Sequence, residues 1–153
     1  MLYSIIKMIH IISSTILFGT GVGSAFYLFM INRSKKVEII YPVLKLVVLA
    51  DLVFTTPAVF IQPLTGFTLL YISGISPFSG WPLYSLIFFI IAGSTWLFAV
   101  RLQLKMRTIA KNAFELKIDL SKRYFVLANY WCCLGVVAFI SMMGIFYFMI
   151  FKP

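Results

Sequence analysis

One histidine, His10, lies inside an apolar run that begins at Leu2. Lys7 stands one helical turn before it, and Ser13 and Ser14 one turn after. An ionisable ring in hydrocarbon costs free energy unless a partner satisfies it, so an intramembrane histidine is a candidate for function. Three chemistries suit an imidazole there: axial ligation of a haem iron, proton carriage, or a hydrogen-bonded strut between helices. For haem b the ring must offer a neutral nitrogen, with a second ligand or an open position opposite. Met142 or Met143 would supply that ligand, and Lys7 would meet a propionate. The expected cofactor-binding set is therefore His10, Lys7, Met142 and Met143, with His10 on the iron. No catalytic residue is assigned.

Asp51 is the second costly group, about twelve residues into the second apolar run and near mid-membrane. A lone carboxylate at that depth needs a proton, a cation or hydrogen bonds from a neighbouring helix. Thr55 stands at i+4 on the same helix face, whereas Lys45 lies nearly opposite around the helix. Gln62, nearer the surface, completes the polar intramembrane set. Cys132 and Cys133 are adjacent, a geometry that rarely forms an unstrained disulfide, and they read as packing residues. No nucleophile–base pair, phosphate loop or metal-binding spacing occurs. Enzyme status stays open, because a cofactor can carry chemistry that leaves no motif.

The elements that must position these groups are helical and apolar. Of 153 residues, 62% are hydrophobic and only 11% charged, which identifies an integral membrane protein rather than a soluble domain. The length allows about four spans of some 20 residues, and the alternation of a barrel strand is missing, so the class is all-α. A four-helix transmembrane bundle is expected, one integral membrane domain over 1–153, with helices at about 2–31, 39–62, 82–104 and 124–151. The first run is too long for the apolar core of a signal peptide. Pro57, Pro63 and the segment Gln62-Pro63-Leu64-Thr65-Gly66 predict a break near the interface, with Phe67–Ile72 interfacial or folded back. Counted at 1.5 Å per residue, His10 then lies about 12 Å in, level with Thr55, Thr56 and Pro57 and with Ser141, Met142 and Met143.

Small residues Gly19, Gly21, Gly23 and Ser24 would let a helix or a flat macrocycle approach the first helix. The Gly19–Gly23 pair is expected to pack within the bundle. No glycine or proline falls between Gly93 and Gly135, so the third helix should outrun the membrane. There Leu102, Met106, Ile109, Ala113, Leu116 and Leu120 form an amphipathic stripe, expected to lie on the bilayer or against a partner. Ser121 is placed to cap the fourth helix.

The formal net charge is +9, but the cations sit in two connections, as topology demands, without the aromatic interleaving of a nucleic-acid surface. Arg33, Lys35 and Lys36 fill the first connection, and the run from Arg101 to Arg123 fills the third; the middle one carries no charge. The positive-inside rule places both basic connections in the cytoplasm and both termini outside. The partners expected are the lipid bilayer and a homo-oligomer or larger membrane complex, and no nucleic acid.

Lys7-Met8-Ile9-His10, Phe18-Gly19-Thr20-Gly21, Gln62-Pro63-Leu64-Thr65-Gly66, Ala92-Gly93-Ser94-Thr95-Trp96-Leu97 and Arg101-Leu102-Gln103-Leu104-Lys105-Met106-Arg107 together resemble a family of small bacterial integral membrane proteins classed as a domain of unknown function. That resemblance spans nearly the whole chain and implies the bacterial inner membrane. The Lys-x-x-His opening is also similar to the first helix of HemJ-type protoporphyrinogen oxidases and, more distantly, of CopD-type copper-resistance membrane proteins. In the HemJ type an early histidine is tied to haem b, which maps only onto His10; the arginine-rich end of helix one and further histidines are missing, so the activity is not carried over. Three functions follow as expectations: a haem-b redox protein using His10, an accessory or assembly subunit docking through Leu102–Leu120, and a proton-coupled transport component using Asp51, His10 and the broken second helix.

Overall fold

The computed structural model describes residues 1–153. Its elements are α1 (Leu2–Asn32), α2 (Val37–Ala50), α3 (Thr56–Ile72), α4 (Gly80–Leu116) and α5 (Lys122–Phe151), with no strand. A π turn over Asp51–Thr55 joins α2 to α3, so the backbone stays helical from Val37 to Ile72. Three helices, α1, α4 and α5, are each long and apolar enough to cross a membrane. Their ends are set by local chemistry. Gly74, at φ +64, turns the chain after α3 while Ile75 N donates back to Leu70 O. Ser121 is the N-cap residue of α5 as expected, though it acts through its carbonyl, which accepts Tyr124 N at 3.0 Å, and not through its hydroxyl.

The break expected at Gln62–Gly66 is not there, and α3 runs on to Ile72. An opened turn between apolar surroundings would strand backbone N–H and C=O groups, so the chain keeps its helix around Pro63. The irregularity falls earlier, at the π turn, where both the N–H and the hydroxyl of Thr56 bond to Asp51 O. The extra residue of that turn delivers Pro57 into the first turn of α3, where its missing donor costs little.

The stripe on α4 is also used differently from expectation. Met106 and Ala110 are fully buried inside the chain's own core, with Leu28 of α1, Ile40 and Leu44 of α2, and Tyr124, Ala128 and Trp131 of α5. Ala113 is buried too, and Leu102, Ile109 and Leu120 pack against the same cluster; only Leu116 stands exposed. Because α2 and α5 both begin at this end, they cover the extension that would otherwise need a bilayer or a partner. Tyr124 Oη donates to Asn32 Oδ1 at 2.8 Å and ties α5 to the end of α1.

Elsewhere α4 and α5 hold each other through aromatic rings, Tyr84 and Phe88 meeting Phe148 at 5.1 and 5.9 Å between centroids. Gly144 makes that approach possible: a Cβ there would lie 3.1 Å from the Phe88 ring. Gly19 and Gly23, by contrast, have no neighbour within 4 Å of where a Cβ would stand. They are not the packing surface the sequence suggested, because α1 turns a different face toward α3.

Candidate functional site

His10 is half-buried between α1 and α3. Its Nδ1 lies 2.8 Å from Thr65 Oγ1. The threonine hydroxyl gives its proton to Ile61 O at 2.7 Å, so its oxygen accepts from Nδ1–H. Gln62 Nε2 donates to the backbone oxygen of His10 at 3.0 Å, and a Cβ on Gly66 would stand 3.3 Å from the ring's Cε1. Residues of α3 thus clamp both the backbone and the ring. The partners differ from the expected Thr55–Pro57 because α3 has no break at Gln62–Gly66 and continues to Ile72. Counted back eight residues from Ile72, the true end of α3, the level of His10 is Leu64, beside Thr65.

The methionines expected opposite His10 lie at a different level of the bundle. Phe18 packs between Phe139 and Phe146, with centroids 5.7 and 5.6 Å away, so Met142 lies level with Phe18. That level is eight residues along α1 from His10, about 12 Å. Met143 is exposed, and Lys7 is exposed with no ion pair. The four residues of the expected cofactor site are not gathered around one point, and His10 is hydrogen-bonded to α3 through its ring and its backbone oxygen.

Asp51 is where polar groups do converge. Thr55 Oγ1 donates to Asp51 Oδ1 at 2.9 Å, as the i+4 spacing predicts. Thr55 is buried, and Asp51 begins the π turn. The chain's one ion pair is Lys111–Glu115, so Asp51 has no cationic partner. A cavity of about 450 Å³, open on one side, is lined by α1, the π turn, Val59 of α3, α4 and α5, with Asp51 and Thr55 on its wall. A second cavity of about 220 Å³, reached past Val48, Thr56 and Arg107, has Asp51 on its wall as well. Gln103 borders both. The two cavities therefore meet at the Asp51–Gln103 pair.

Gln103 is only 2% exposed. Trp131 Nε1 donates to its Oε1 at 3.4 Å, which orients the amide, and its Nε2 lies beside the Asp51 carboxyl without a partner of hydrogen-bonding length. Trp96 Nε1, two turns earlier on the same face of α4, is likewise unpartnered. Three helices each place a glycine on the larger cavity's wall, Gly21, Gly93 and Gly135, and none has an atom within 4 Å of a would-be Cβ. The space is held open by missing side chains.

Gln103, Trp96 and Trp131 lie outside the site expected from the sequence. A signal existed: Ala99, Gln103, Met106, Ala110 and Ala113 repeat at helical spacing, and a glutamine inside that small-residue face marks a polar group turned inward. No group of His, Cys, Asp and Glu is arranged to hold a metal ion.

A family model described as "Predicted integral membrane protein (DUF2269)" matches residues 4–153. No curated protein and no solved structure matches the chain. The likeness of the first helix to HemJ-type and CopD-type proteins thus gains nothing from these comparisons, and no residue role is carried from those families.

Proposed function

Because the chain belongs to this family of predicted integral membrane proteins, we propose a function set in the bilayer: a proton-coupled transport component that takes a small lipid-soluble molecule into the larger cavity and exchanges it against a proton on Asp51. One observation carries this reading. The unpaired carboxyl stands on the chain's one π turn, on the wall of both cavities. π turns collect at functional sites, and irregular backbone at membrane depth is tolerated where it lines a cavity. A carboxyl without a cation must balance its charge with a proton or with a bound group. Two species that compete for one carboxyl are coupled by that competition.

The arrangement in the membrane belongs to the same proposal. Four helical rods cross a bacterial inner membrane, the stretch from Val37 to Ile72 being the second, with both termini on the outer side. Arg33, Lys35 and Lys36 before α2, and the cations from Arg101 to Arg123, support this orientation, as does the uncharged connection between α3 and α4. The smaller cavity, with Arg107, then faces the cytoplasm. Four rods are few for a carrier, so the working form is an oligomer. An accessory-subunit role is disfavoured, because the stripe that was to dock a partner is covered by α2 and α5.

The test uses vesicles with an entrapped pH dye. A pH gradient across protein-containing vesicles is challenged with neutral, cationic and anionic lipophiles in turn. At least one of them should discharge it faster than in protein-free vesicles, and Asp51→Asn should remove the difference. Equal discharge in wild type and Asp51→Asn would contradict the reading.

A further inference from the structure

We propose that the molecule taken by the larger cavity is a lipophilic organic cation, with Asp51 as its counter-charge and the aromatic wall as its seat; this rests on the reading of that cavity as the transport site. The wall carries one acid and no basic residue. Phe18, Phe89, Trp96, Trp131 and Phe139 line it, and aromatic faces attract a desolvated cation. An anion would meet those same negative faces, and a neutral lipophile would leave the carboxyl without a partner. The glycines Gly21, Gly93 and Gly135 leave room for a bulky group.

The unpartnered amide of Gln103 fits this account. Thr55 Oγ1 already donates to the carboxyl, and Gln103 Nε2, beside it and free, is a second donor suited to the ionised form. Trp131 fixes the amide so that its N–H end, not its oxygen, is the free one. Loss of the proton from Asp51 then brings two donors and the arriving cation to one carboxylate. The ionisable groups that face this site from the packed elements are Arg107 of α4, across the smaller cavity, and Cys132 of α5, on the wall of the larger one; α1, α2 and α3 bring none.

Tetraphenylphosphonium and tetraphenylborate share a shape and differ in charge sign, so equilibrium dialysis of each against the detergent-purified full chain isolates the charge. Tetraphenylphosphonium should bind saturably, at least about tenfold more tightly than tetraphenylborate, and more tightly as pH rises, because proton and cation compete. Asp51→Asn, nearly isosteric, should abolish the preference and the pH dependence. Gly93→Phe, and Gly135→Leu as a second filling variant, should reduce binding of the phosphonium by a similar factor. Tetraphenylborate bound as well as the phosphonium, or a preference unchanged in Asp51→Asn, overturns the assignment of a cation. If filling the cavity still weakens binding in that case, the cavity stands as the site and only the class of molecule falls. If neither filling variant in its folded form changes binding of either ion, the cavity itself is the wrong place and both readings fall.

Discussion

At the basic end of the helices, Leu28, Ile40, Leu44, Met106, Ala110 and Tyr124 are wholly shielded from solvent, and four helices interlock around them. One to four turns further along α4, past Gln103 toward Gly93, the neighbouring helices carry Gly21 and Gly135, and a cavity of about 450 Å³ remains. Both regions are mostly apolar, so hydrophobicity does not separate them. Side-chain size does, together with where polar atoms are satisfied. Tyr124 finds Asn32 at 2.8 Å, whereas Gln103 keeps a donor unpaired. In an apolar solvent helices associate through packing and interhelical hydrogen bonds, so a region with less of both is held by another that has more. The basic end is the clamp, and the hollow middle is what it holds open.

The largest effect that could break this comparison is on the clamp. Leu44→Ala removes a side chain with no exposed surface, and should destabilise the protein by about 2–3 kcal/mol through lost contacts and the void left behind. Thermal unfolding in detergent reads it, and a midpoint within error of wild type would remove the clamp. Asp51→Asn sets the opposite pattern. The amide oxygen still accepts from Thr55, so stability should move by under about 1 kcal/mol while transport is lost.

Two glycines sharpen the contrast. Gly144→Ala must push the Phe88 ring from 3.1 Å and should cost about 1 kcal/mol or more. Gly93→Ala meets open space and gains helix propensity, so it should be neutral or stabilising by up to about 1 kcal/mol. Matching shifts in the two unfolding midpoints would show that the middle is packed after all. A small loss belongs to His10→Ala, which removes one interhelical hydrogen bond worth about 0.6 kcal/mol in a membrane setting. Its absorption spectrum, oxidised and reduced, should equal that of wild type; a Soret band lost in the variant would restore haem ligation.

Much of this was legible in the residues. Composition yields an all-helical membrane chain, and the i+4 spacing of Asp51 and Thr55 yields their hydrogen bond, because both are local properties. The partner of His10 was hidden by a proline argument. Pro63 looks like a stop in water, but a helix surrounded by apolar groups cannot afford the open turn, and the register of α3 shifts with it. The stripe on α4 reads as a buried face from its spacing, yet only the folded chain reveals that α2 and α5 cover it. The place of Gln103 is not legible in the sequence because its neighbours, Asp51 and Trp131, are far away along the chain.

The separation of clamp from working site is tested most directly by measuring, side by side, discharge of a pH gradient by protein-containing vesicles and unfolding of the same preparations for Asp51→Asn and Leu44→Ala. The account predicts a stable Asp51→Asn protein that transports nothing, and a Leu44→Ala protein that unfolds earlier yet transports normally below its midpoint. An Asp51→Asn variant that discharges the gradient like wild type would contradict it.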